Sequence, residues 1–292
     1  MNESKTLKTP KPGAEEFPFW AHLVPFFGLF FVAHMLGQFE PWNWAAGVAA
    51  SAAAFGFWRP WRDKEVWRHL LPFAVWISVM MGSGDPSGWT YAVRTGAGLA
   101  ALLAVRPWRG YGPLRWKNVP LAMAVGAGVF VVWVGLESPW VKSAAPGLAV
   151  IYEKWLVGPI PGGLGQLREP MSGAPYDPAL TGWTLFAVHM FGTAVVIAVI
   201  EEFFWRGFLY RWLAARRFME LPLRHWDRTL FLVVAVLFGI EHAEWAAGIA
   251  CGLLFHWVIL RTGDIWAAVV AHGVTNFLLG IYVWKFQQWQ FW

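Results

Sequence analysis

The chain is 292 residues long, 57% hydrophobic and only 14% charged, against about 45–50% and about 25% in a typical soluble domain. Such a balance excludes an ordinary soluble protein. The formal charge of +5 lies in the connectors between apolar stretches and shows no basic–aromatic interleaving of the kind that argues for nucleic acid, so it points to membrane topology and anionic lipid.

In chain order, the opening MNESKTLKTPKPGAEEF is polar, holds three lysines and lacks the small-residue cleavage site of a secretory signal. It reads as a cytoplasmic tail, residues 1–17, ahead of a first span that stays in the protein. A bilayer crossing needs ~20 largely apolar residues. Such stretches follow at 19–37, 118–136, 183–200, 229–240 continuing past the next acids, and 265–284, with shorter or weaker ones at 42–57, 70–82, 89–105 and 246–260. The expected fold is all-α, a multi-pass transmembrane helical bundle of about eight or nine spans.

Charge between the spans sets the predicted orientation, because Lys and Arg near span ends stay on the cytoplasmic side. Connectors 59–68 and 106–117 carry four basic residues each and 211–228 carries five, whereas QFEPW and GSGDPSG carry none. The long connector 137–181 has three basic residues offset by four acids. The tail and the basic connectors are therefore predicted inside, and the expected location is a bacterial inner membrane. The 23 tryptophans gather at predicted span ends, among them Trp42, Trp44, Trp58, Trp61, Trp89, Trp183, Trp284, Trp289 and Trp292. Their rings suit the headgroup interface.

Two regions differ in character. Residues 18–136 are a predicted accessory set of helices whose apolar segments hold few ionisable groups, chiefly His22, His34 and Arg94. Residues 137–182 are an extramembrane loop, which ends in the Gly- and Pro-rich, irregular stretch VGPIPGGLGQLREPMSGAPYDPALTG. From 183 to 292 the apolar segments carry Glu201, Glu202, Arg206, Glu241, His242, Glu244, His256, His272 and Asn276, so chemistry belongs to this part. Cys251, in GIACGLLFH, is flanked by Gly248 and Gly252, a spacing that allows close helix approach. It reads as a buried residue of that contact, and as the single cysteine it excludes an internal disulfide.

In AVIEEFFWRGFLYRW, Glu202 and Arg206 are four apart and share a helix face, while Glu201 points about 100° away. One carboxylate has a partner within its helix and the other has none. A charged side chain in hydrocarbon costs about 2.5–3.5 kcal/mol on insertion scales, so an unpaired glutamate kept there suits general-base work. The plainer alternative is that both acids are solvated at the interface, near Arg211, Arg216 and Arg217. Two further segments weigh against it: LFGIEHAEW sets Phe238 and His242 four apart, and VVAHGVTNF does the same for His272 and Asn276. Three helices that each present such groups are hard to explain as helix contacts, whereas His34, His189 and His256 read as helix–helix hydrogen bonders. With the predicted topology His242 falls toward the outer end of its span and His272 toward the inner end of its own. A tilt, a kink or a re-entrant turn around HAEWAAG is needed to bring them level.

The motifs EExxxR at 201–206, FxxxH at 238–242 and HxxxN at 272–276 stand in the order found in the CAAX protease and bacteriocin-processing (CPBP, or Abi) family of intramembrane glutamate proteases, which residues 183–284 resemble. The resemblance implies a type II CAAX prenyl endopeptidase-like enzyme with no metal or other cofactor. Its substrate would be a peptide bond of a membrane-associated protein or peptide, with a prenylated tail as one family precedent beside leader peptides and other membrane-anchored proteins. It implies Glu201 as the catalytic glutamate, His242 as the water-binding histidine, and His272 and Asn276 as oxyanion stabilisers. Glu202, Arg206, Phe238 and Glu241 would then be supporting residues. Glu241 and Glu244 in EHAEW depart from the simple family pattern; acids there would polarise His242, read a basic substrate group or mark a helix end.

Rival chemistries remain open at this level. Two histidines and a glutamate on different helices also fit a catalytic zinc site, although HExxH is absent and Asn276 is a poor zinc ligand. A thiol mechanism is disfavoured, because His256 lies five residues after Cys251, about 140° around a helix. A membrane scaffold, an immunity factor or a transporter would use the same groups for binding or proton passage.

Overall fold

The computed structural model describes residues 63–82, 87–158 and 175–292. The predicted tail, the predicted spans 19–37 and 42–57, and His22 and His34 lie outside the described residues. Among those described, the protein is all helical, with α1 (Lys64–Gly82), α2 (Gly88–Val105), α3 (Val119–Gly135), α4 (Trp183–Ala214), α5 (Arg228–Ile240), α6 (Trp245–Thr262) and α7 (Ile265–Phe286). Four of these are long and apolar enough to cross a membrane: α3 with its one-turn lead, α4, α6 and α7. The chain is an integral membrane protein. Between α3 and α4 the described residues include three short helices, Pro139–Ala144, Pro146–Ile151 and Pro178–Thr181.

Helix starts are marked by side chains that satisfy free amides. Ser87 and Thr90 form a capping box at α2, Asp227 accepts from Leu230 N at 2.9 Å at α5, and Asp264 accepts from Trp266 N at 3.1 Å at α7. The helices meet through small residues, as membrane helices do when backbones approach closely. A Cβ on Gly248 would stand 2.9 Å from Gly239 Cα, and one on Gly252 would stand 3.0 Å from Ala235 Cα. The predicted small-residue surface of α6 is thus the seam with α5, and Cys251 is buried within that helix. In the same manner Gly126 of α3 abuts Ala271 of α7, and Gly273 of α7 abuts the Ala194 carbonyl of α4.

Two expected segments differ in extent. The span expected at 183–200 continues to Ala214, through widened π turns at Gly192–Ile197 and Phe203–Leu209. The helix expected to run past Glu241 instead stops at Ile240, and residues 241–244 form a turn before α6. His242 is the physical reason: its Nδ1 donates to the Phe238 carbonyl at 2.9 Å and its backbone N to Gly239 O at 3.0 Å, which tightens the last turn and caps the helix. The 13 residues of α5 rise about 20 Å, short of the ~30 Å hydrocarbon core. The turn sets the His242 ring 5.0 Å from that of Phe238, which in turn lies 6.1 Å from the His272 ring.

Residues of the connectors 106–117 and 211–228 meet at one end of the bundle, beside His69 of α1 and the α6–α7 turn. Tyr111 OH meets His69 Nε2 at 2.8 Å, accepts from Arg211 Nη1 at 3.1 Å and donates to Gly207 O at 3.0 Å. Arg115 Nη2 donates to Gly263 O at 2.6 Å. Some expected roles change. Trp89 and Trp183 are exposed near helix ends, but Trp289 is buried, and the partly buried Trp292 stacks on His189 at 4.1 Å. His189 and His256, expected as hydrogen bonders, pack by their rings: His189 lies between Tyr91 and Trp292, and His256 meets Tyr210 edge-on at 4.1 Å.

Candidate active site

The centre of the site is a buried chain of charge on α4 and α7. Arg206 Nη1 donates to Glu202 Oε1 at 2.9 Å, the predicted pair, and both side chains are sealed from solvent. The same oxygen, Glu202 Oε1, stands 3.0 Å from His272 Nδ1. Since a carboxylate accepts, Nδ1 carries the proton and the second ring nitrogen is turned the other way. That nitrogen, Nε2, lies 3.9 Å from Glu201 Oε2, an oxygen with no hydrogen-bond partner. Arg206 also donates from Nη2 to the Gly252 carbonyl at 3.2 Å and lies over the Phe238 ring at 4.3 Å. Phe255 stacks on His272 at 4.9 Å. Arg206, Glu202 and His272 are therefore tied to one another by hydrogen bonds, while Glu201 stands beside them without one.

Phe238 links this chain to the α5–α6 turn. Its ring centroid is 5.0 Å from that of His242 and 6.1 Å from that of His272. A backbone carbonyl only accepts, so the bond to Phe238 O protonates His242 Nδ1 and leaves Nε2 of the neutral ring as an acceptor. Trp133 of α3 meets the His242 ring edge-on at 5.4 Å. Glu241 Oε2 accepts from Trp205 Nε1 of α4 at 3.1 Å. Glu241 thus faces the bundle interior and not a basic surface.

Asn276, one turn beyond His272, is directed to α4. Its Nδ2 donates to the Thr193 carbonyl at 2.8 Å, within the first π turn of α4. Widened turns of this kind recur at functional sites because a carbonyl is freed from the regular ladder. One of the two Nδ2 protons is used in this bond and one remains. The structure thus brings Glu201, Glu202, Arg206 and His272 into one chain, attaches His242 and Glu241 through Phe238 and Trp205, and ties Asn276 to the backbone beside them.

Several contributors were not singled out from the sequence. Trp205 is four residues from Glu201 on the same helix, a spacing that was visible, but its partner Glu241 is 36 residues away. Thr193 contributes only a carbonyl and Trp133 only a ring edge, and neither leaves a residue-type signature. Arg94 had a signal, as a lone cation in an apolar segment. Among the described residues no group of three or more His, Cys, Asp or Glu side chains converges as a metal-ion site.

Residues 183–278 match the family model described as type II CAAX prenyl endopeptidase Rce1-like. The chain carries an Rce1-like domain. That family is one of proteases, and the matched stretch contains α4, α5, α6 and the part of α7 that bears His272 and Asn276. No curated protein and no solved structure matches the chain. Helices α1, α2 and α3 lie outside the Rce1-like domain, yet α2 and α3 pack directly on its α4 and α7.

Proposed function

We propose that this protein is a multi-pass intramembrane endopeptidase in which Glu201 is the general base and works without a metal. The observation that carries the proposal is the ordered chain Arg206–Glu202–His272–Glu201, buried between α4 and α7 of the Rce1-like domain. Glu201 takes a proton from a water molecule as the water oxygen attacks the carbonyl carbon of the scissile peptide bond. The tetrahedral intermediate collapses when Glu201 returns that proton to the leaving nitrogen and the carbon–nitrogen bond breaks. His242 Nε2 and His272 Nε2, as acceptors in the neutral rings, suit a role in holding the water. The remaining amide proton of Asn276 suits stabilisation of the oxyanion; donation from His272 Nε2 requires the imidazolium. Glu202 and Arg206 are positioning residues that fix the His272 ring, and Phe238 and Glu241 support the α5–α6 turn.

The substrate class is a membrane-associated protein or peptide. Residues 183–292 are proposed as the catalytic core and 18–136 as accessory helices, in a bundle of about eight or nine membrane-inserted helices of a bacterial inner membrane. The test is the accumulation of uncut membrane proteins in cells that express wild type, Glu201→Gln or His242→Ala at matched levels. Loss of processing in both variants is the expected result. Wild-type processing in both would leave the buried acids as structural groups of a scaffold or transporter.

A further inference from the structure

The contact between α2 and α4 contains a cation that the proposed chemistry does not use. The Arg94 guanidinium carbon lies 4.6 Å from the Trp76 ring centroid and 4.4 Å from that of Tyr91. Among the described residues no carboxylate stands within ion-pair distance of it, and its buried Nε has no hydrogen-bond partner. Helix register sets this part of α2 against α4 just before Glu201. Tyr91 and Thr95 sit against Gly192 of α4, and Gly98 sits against the side chain of Ile200, the residue before Glu201. Two more buried polar atoms of the same helix contact, Thr95 Oγ1 and His189 Nδ1, also have no hydrogen-bond partner. Both side chains are more than nine-tenths buried.

A guanidinium laid on aromatic rings keeps its N–H edge oriented, and that edge matches a planar carboxylate. Both terminal nitrogens of Arg206 are already committed, to Glu202 and to the Gly252 carbonyl. Glu201 and Glu241 would repel an anionic group that entered unaccompanied, so a substrate carboxylate is admitted only where a cation meets it. A single arginine suits a monoanion, whereas phosphate groups are characteristically met by clusters of arginines.

We propose that Arg94 is a specificity residue of this protease: it receives a carboxylate of the peptide substrate, at the C-terminus or on an acidic side chain close to the bond to be cut. The proposal rests on the protease function above. It places selection of the cleavage position on α2, outside the Rce1-like domain.

The test is binding, separate from turnover. The full chain in detergent micelles is titrated with octanoyl-Val-Ile-Leu bearing a free carboxylate, with the same peptide as its carboxamide, and with octanoyl-Val-Glu-Leu carboxamide, each read as a shift in thermal midpoint. Wild type is expected to bind the free carboxylate and discriminate against the first carboxamide. Arg94→Gln should weaken carboxylate binding about tenfold or more, and Arg94→Lys, which keeps the charge but not the fork, should retain part of it. Glu201→Gln should keep the preference while it fails to cleave, which separates this proposal from the general-base role. Binding of the Glu-containing carboxamide through Arg94 would identify an acidic side chain as the carboxylate source. The proposal is overturned if wild type binds none of the three peptides, if it binds carboxylate and carboxamide equally, or if the preference survives in Arg94→Gln. It is also overturned if Arg94→Gln alters only the response to micelles mixed with phosphatidylglycerol, since the residue would then belong to the lipid surface.

Discussion

The two halves of α4 are opposite in character. In the first half, up to Ile200, side chains alternate between contact and exposure, with Trp183 61% and Val195 46% exposed. In the second half every residue from Glu202 to Leu213 is buried. The half that is nearly all hydrocarbon turns one face outward, whereas the half that bears Glu202, Arg206 and Arg211 lies inside on every side. In a bilayer an apolar side chain gains little from being buried against another helix, because the lipid is equally apolar. A charged one must find a partner. Glu202, Arg206 and Arg211 find theirs within the protein, and their helix is enclosed as a result.

Substitutions along α4 sharpen this contrast. Glu202→Leu leaves Arg206 and His272 without their shared acceptor, and is expected to lower stability by about 3–5 kcal/mol, measured by thermal unfolding in detergent. Adding Arg206→Met to it should recover part of that loss, because the uncompensated cation is removed. A milder change in the same half, Trp205→Phe, removes the donor to Glu241 and should cost about 1–3 kcal/mol by the same measurement. In the outward half, Val195→Leu should stay within about 0.5 kcal/mol. A large loss there would mean that this face is covered and not lipid-exposed.

Much of the site was legible because its logic is local. The Glu202–Arg206 pair follows from a four-residue spacing, and the seam at Gly248 and Gly252 follows from residue size. His272 and Asn276 were recognisable as polar groups on one face of an apolar helix, although their partners were not, since Glu202 lies 70 residues from one and Thr193 lies 83 from the other. The end of α5 was misjudged for a physical reason. No proline or helix-ending glycine marks it, and the stop depends on the His242 side chain turning back to the Phe238 carbonyl. Trp292 was read as an interfacial anchor because its composition suits one, but its ring is taken up by His189 and the neighbouring aromatic side chains.

The most direct test of the division of labour between the two adjacent acids is a side-by-side assay of Glu201→Gln and Glu202→Gln, with cleavage and unfolding measured on the same purified material and a substrate recovered from the accumulation experiment. Glu201→Gln should lose cleavage by about 100-fold or more and unfold within about 1 kcal/mol of wild type, while Glu202→Gln should lose stability. Wild-type cleavage in Glu201→Gln, or loss of stability in both variants with cleavage per folded molecule unchanged, would contradict the account.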